Sequence, residues 1–218
     1  MLLQRGASLD VPSASSANFV VLRCESASAR LEWRLLFEHA CAVAAAGGLV
    51  LYYRREPVRC AAFLLAAERA EAEALAPLRR VGRKRALRRV RFQYHGSSGL
   101  LEKLRHLCCS LHKRPVPDAV VVEGLDALTA DPSLLSFLFD AANRLASHRR
   151  RRASAFVPLL ASTRADVSTA ASVLSFTILT VRSTTAADAD VESEESELLC
   201  GSRSWTLSAD GAIAHHNS

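Results

Sequence analysis

The sequence predicts an α/β domain, a doubly wound and mainly parallel sheet that ends in an antiparallel hairpin edge. Three observations carry this. Short β-branched apolar runs alternate with longer Ala/Leu-rich segments of helical period, the alternation that builds parallel sheets through right-handed crossovers. The apolar runs, such as Val120-Val121-Val122, are continuous, as in strands covered on both faces. Near the end, Asp210-Gly211, a strong two-residue turn signal, separates residues 204–208 from Gly211-Ala212-Ile213. A chain of 218 residues can bury one substantial core, so one domain is expected over 19–215, after a Ser/Ala-rich leader at 1–18 that reads as a disordered tail.

Phe19-Val20-Val21-Leu22 is the first strand. Residues 29–46 carry helix formers, among them Leu31, Leu35, Leu36, Ala40 and Val43, and Gly47-Gly48 supplies the stop. Residues 49–53 form a second strand, and 61–78 an Ala/Leu/Glu-rich helix ended by Pro77 and a basic run. Residues 90–94 alternate like a strand, 99–112 form an amphipathic helix, and 119–122 another buried strand. A helix over 134–146, a strand over 155–161 broken by Pro158, and a strand over 176–181 follow. Residues 185–197 are acidic and aperiodic, an expected loop. These placements put Trp33, Phe92 and Val120 to Val122 in the interior. The order of the strands is not legible from the pattern.

Composition narrows the function. Half of the residues are hydrophobic and 23% are charged, which fits a globular chain. Aromatic residues make up 6%, too few for a nucleic-acid surface built mainly of stacked platforms. The net charge of +6 comes from clustered Arg and Lys, which attract polyanions. Six cysteines, at 24, 41, 60, 108, 109 and 200, lack the spacing of a secreted disulfide framework and fit a reducing compartment. The longest apolar stretch, 42–53, contains two glycines and falls short of the roughly 20 residues of a membrane-spanning helix, so no membrane partner is expected.

In a parallel sheet, ligands bind at the carboxyl ends of the strands, which puts the loop after the first strand first in line. There Ser26, Ser28 and Arg30 can meet a phosphate at a helix N-terminus. The segment has no glycine to let successive N–H groups converge on an anion, and no lysine for the terminal phosphates. Glu123 follows the run 120–122, the place where nucleotide-binding α/β proteins hold Mg²⁺; an acid that merely ends a strand reads the same way. Two basic runs can take a polyanion backbone: Arg79, Arg80, Arg83, Lys84, Arg85, Arg88, Arg89 and Arg91, and then 148–152. A solvated face or an import signal has the same composition.

Arg91-Phe92-Gln93-Tyr94, the helix 104–112, residues 120–128 and the end segment 205–211, taken in that order, resemble the ATPase-like subunits of the animal Shu complex. Those are divergent paralogues of the RecA-type recombinases that associate with a SWIM-type zinc-finger subunit. The resemblance spans roughly 19–213 and is strongest over 90–131. It implies a RecA-like fold, single-stranded DNA binding, partnership with the zinc-finger subunit and with recombinases, and a nuclear role in homologous recombination. It also implies ATP and Mg²⁺ as cofactors through a phosphate loop of the Gly-Lys-Thr kind, and Glu123 matches the second acidic motif, where aspartate is usual. Here 26–33 stands in place of that loop without its glycine and lysine. The leading reading is therefore an adaptor of recombinational repair; a DNA-stimulated ATPase of the same complex, and a stabiliser of the partner that never touches DNA, are the alternatives.

Two further patterns carry less. His106, Cys108, Cys109 and His112 are close in sequence, yet on one helix their side chains diverge, so no metal site is assigned. Phe37-x-x-Ala40 and Phe139-x-x-Ala142 match the short pattern by which recombinases are engaged, but read more simply as core.

Overall fold

A computed structural model describes residues 17–25, 29–54, 87–95, 99–111, 116–128, 132–148, 156–183, 196–200, 203–207 and 213–216. In chain order the elements are β1 (Phe19–Cys24), α1 (Ala29–Ala45), β2 (Val50–Arg54), β3 (Val90–Tyr94), α2 (Leu100–Ser110) and β4 (Ala119–Val122). A 3₁₀ turn (Leu125–Leu128), α3 (Pro132–His148), β5 (Leu159–Thr163), α4 (Ser168–Leu174) and β6 (Thr177–Ser183) follow. Three more strands, β7 (Ser196–Cys200), β8 (Arg203–Leu207) and β9 (Ile213–His216), complete the set. The expected helix over 61–78, the leader up to residue 16 and the Asp210-Gly211 turn lie outside the described residues.

The strands form one sheet in the order β3-β2-β4-β5-β1-β6-β7-β8-β9. Every pairing among the first six is parallel, and β6 to β9 pair antiparallel. Helix α1 packs on one face, while α2, α3 and α4 pack on the other, so the sheet is doubly wound. The interior strands carry apolar residues on both sides because both sides are covered: Val120, Val121 and Val122 are all fully buried.

Local chemistry sets the boundaries. Helix α1 stops at Gly47, whose φ of +90° is the left-handed conformation glycine adopts without steric cost. The end of α1 lacks a basic residue of its own, and Arg89 supplies one from the other side of β2, its Nη1 donating to the Gly47 carbonyl at 2.7 Å. The Leu49 N–H donates to Asp118 Oδ2 at 2.8 Å, tying the start of β2 to the start of β4.

Several expectations shift. Trp33 and Phe92, expected in the interior, are half-buried: they pack at the margin of the α1-side core near the sheet edge formed by β3. The strand expected over 155–161 is β5 at 159–163, because Pro158 has no N–H for the ladder and the regular strand starts after it. Helix α4 and strand β7 were not foreseen, and the last two residues of the acidic segment, Ser196 and Glu197, pair with Ser183 and Arg182. Asn18, assigned to the leader, belongs to the domain: its side chain donates to Asn143 Oδ1 at 2.9 Å. Among the described residues, no helix is long and apolar enough to cross a membrane.

Candidate functional site at the carboxyl edge

The chain leaves β1 for α1 on one face and leaves β5 for α4 on the other, so the connections diverge at the carboxyl ends of these neighbouring strands. That divergence opens the crevice in which doubly wound sheets bind ligands. Its floor is polar. Glu32, in the first turn of α1 and 8% exposed, accepts a hydrogen bond from Ser162 Oγ at 2.5 Å, and Ser162 Oγ accepts one from the Gly124 N–H at 3.0 Å. Gly124 turns the chain after β4 at φ +72°, which aims its N–H at β5. Asp126 accepts from Thr163 Oγ1 at 2.9 Å and from the Arg164 N–H. The ends of α1, β4 and β5 are thus tied together.

Glu123 sits beside β2. The parallel register pairs Tyr53 with Val122, so the next residues, Arg54 and Glu123, come side by side. Arg54 Nε lies 3.2 Å from Glu123 Oε2, an ion pair rather than a well-aligned hydrogen bond, with both side chains about four-fifths buried. The guanidinium also stands 5.9 Å over the Trp33 ring. On the other side of the crevice, Arg23 bridges Glu25 at 3.1 Å and Asp166 at 3.3 Å, and Arg182 Nε donates to Glu25 at 2.6 Å. The Arg182 hydrogen bond holds the Glu25 carboxyl below its usual range, and hydrogen bonds from Ser168 do the same for Asp166. Burial, and after it the Glu32 charge, pushes the Cys24 thiol up to about 12.

The described residues do not fit a metal-bound nucleotide phosphate. An anion at the start of α1 would face the Glu32 carboxylate, and a metal ion at Glu123 would face a guanidinium. Ser26 and Ser28 lie outside the described residues, and of Arg30 only the backbone, in the first turn of α1, is described.

The basic run is described only at its end. Arg79, Arg80, Arg83, Lys84 and Arg85 lie outside the described residues, as does 149–152. Arg88 and Arg91 are exposed, whereas Arg89 is half-buried and engaged with Gly47. Phe37, Ala40 and Ala142 are buried in the core. Among the described residues, no three His, Cys, Asp or Glu are grouped to hold a metal ion; His106 and Cys109 face solvent, Cys108 is half-buried, and His112 is outside the description.

Fold and site together define an α/β domain in which Arg23, Arg54 and Arg182, among the described residues of the carboxyl edge, pair with carboxylates. No protein-family model matches the chain, and no curated protein matches it either.

Proposed function

We propose that the chain is a non-catalytic adaptor of homologous recombination with a RecA-like fold, acting in the nucleus between a SWIM-type zinc-finger subunit, a RecA-type recombinase or its paralogues, and single-stranded DNA. The observation that carries the non-catalytic part is the charge of the described carboxyl edge: Glu32 sets a carboxylate in the first turn of α1, and Arg54 pairs with Glu123. Phosphoryl transfer depends on positioned cations around the γ-phosphate, and three cations of the described edge, Arg23, Arg54 and Arg182, are each committed to a carboxylate. The motif order from Arg91 to Leu128, with 205–211, supports the partner assignment, and the strand order fits the RecA-like reading. The basic run supports backbone-directed DNA binding through Arg79, Arg80, Arg83, Lys84, Arg85 and the exposed Arg88 and Arg91.

The test is reconstitution. Co-expressed with a SWIM-type zinc-finger subunit, the chain is expected to co-purify with it and to bind single-stranded DNA with affinity that falls steeply with salt. ATP turnover should stay at background with or without DNA. Turnover abolished by Glu123→Gln would replace this reading with the ATPase. Charge reversal at Arg83, Lys84 and Arg85 should flatten the salt slope by roughly one unit per lost contact. Unchanged DNA binding in a folded triple variant would move the interface elsewhere, and absence of DNA binding in the wild type would leave a partner stabiliser.

A further inference from the structure

We infer that Tyr94 is a base-stacking platform for single-stranded nucleic acid, a ring at the sheet edge on which a base lies while neighbouring arginines hold the backbone. This rests on the DNA-binding reading above and deepens it, since that reading names cations alone.

Tyr94 is the last residue of β3, and β3 is the terminal strand of the sheet. Strand alternation puts it on the same face as Val90 and Phe92, which pack with α1. From α1 outward the rings follow one another at small angles. Trp33 and Phe37 stand 5.1 Å apart at 18°, Phe37 and Phe92 6.5 Å apart at 22°, and Phe92 and Tyr94 6.1 Å apart at 4°. The row begins in the core, where Phe37 is buried, and ends on Tyr94, which is 39% exposed. A ring held against a near-parallel neighbour has its orientation set in advance, so a base stacks on it without first ordering it.

The charge around this ring identifies what would lie there. Residues 87–95 hold three arginines, a histidine and no acid. Arg88 precedes β3 and Arg91 is its second residue, and both are exposed. Lys103 from α2 adds a cation, its Nζ donating to the Tyr94 carbonyl at 2.5 Å. An apolar protein surface would match the ring and leave these cations unmatched, whereas a strand with flat bases on an anionic backbone matches both. A duplex keeps its base faces stacked on one another, so the ring favours a single strand.

The experiment uses the full chain in its co-purified complex, with a thymine homopolymer and an abasic oligonucleotide of the same length as probes. The wild type should bind the thymine strand at least about fivefold more tightly, the lower end of what one stacked base contributes. Tyr94→Leu keeps an apolar contact with Phe92 and removes the aromatic face. It should bring the thymine affinity down to the abasic level at an unchanged salt slope. Tyr94→Phe should keep the wild-type preference. Joint replacement Arg88→Ala and Arg91→Ala should instead weaken both strands alike and flatten the slope. If circular dichroism shows Tyr94→Leu unfolded, Tyr94→Met takes its place, and loss of fold in both overturns the inference. So does a folded variant that keeps the thymine preference, a wild type that binds both strands equally, or loss of the co-purified subunit at unchanged DNA binding, which would make the ring a protein contact. A wild type that binds neither strand would instead overturn the DNA-binding reading itself, so the two failures are distinguishable.

Discussion

The two faces of the sheet are built differently. Behind α2, α3 and α4 the core is closed and mostly aliphatic, with a Phe19–Phe176 ring pair at 4.9 Å: Leu104, Leu125, Leu134, Leu138, Leu145 and Leu159 have essentially no exposed surface. On the α1 face the core is aromatic and polar, with Tyr52, Phe37, Phe92, Trp33 and His39, and it thins toward β3, where Tyr94 is 39% exposed. Aromatic rings there lie against one another, Trp33 with Phe37 at 5.1 Å and Tyr52 with Phe92 at 5.1 Å. His39 Nε2 meets the Val157 carbonyl at 3.0 Å, and the Tyr52 hydroxyl meets nothing. One face is made for cohesion, whereas the other accepts local polar cost where it meets the candidate site.

Substitutions should separate the two faces. Leu138→Ala, in the middle of α3, is expected to cost about 2–5 kcal/mol, read as a fall in the denaturant midpoint at unchanged slope. A cost near that of a surface change would break the comparison. Alkaline pH acts next. Cys24 is neutral in the folded state up to about 12 but ionises near 9.0 when unfolded, so the folded chain binds the extra proton between those values. Stability contributed by Cys24 is therefore complete below pH 9 and lost as pH rises toward 12, by about 4 kcal/mol at most. Cys108, on the opposite face and raised only to about 11, contributes a shorter window, so Cys24→Ala should remove more of the alkaline slope than Cys108→Ala.

Phe92→Ala, at the thin margin of the α1 face, should cost about 1–2 kcal/mol, well below a fully buried phenylalanine. The smallest effect has the opposite sign. Tyr52→Phe deletes a buried hydroxyl that has no partner and should raise stability by about 1 kcal/mol; a clear loss would mean that the hydroxyl is satisfied in solution.

What the sequence discloses follows the same division. Strands β1, β2, β3 and β4 are legible because their residues are β-branched or aromatic and bounded by turn chemistry, and α1 because Gly47-Gly48 ends it. Helix α4 is not, since the 7 residues from Ser168 to Leu174 are too few to show a helical period and bury no side chain; it is held by the Asp166 carboxylate, which accepts from the Ser168 N–H and hydroxyl, and by a left-handed turn at Ser175. Glu123 stood out as a strand-end acid, but its partner is 69 residues earlier in the chain. Only the β2-β4 adjacency brings Arg54 to it, and apolar runs do not encode adjacency. With the strand order known, a cation ending one strand and an acid ending its neighbour would have been enough.

The sheet order also sets a timetable. β1 is the first strand made, and it lies between β5 and β6, the last two parallel strands made. Val20, Val21 and Leu22 therefore leave the ribosome about 140 residues before the strands that cover their edges exist. At roughly 5–20 residues per second, that interval is on the order of 10 s, during which a mostly apolar strand has no native neighbour within the sheet. The yield of folded chain should thus depend on what shields β1 during synthesis, which makes slow translation and early proteolysis natural adversaries of this fold.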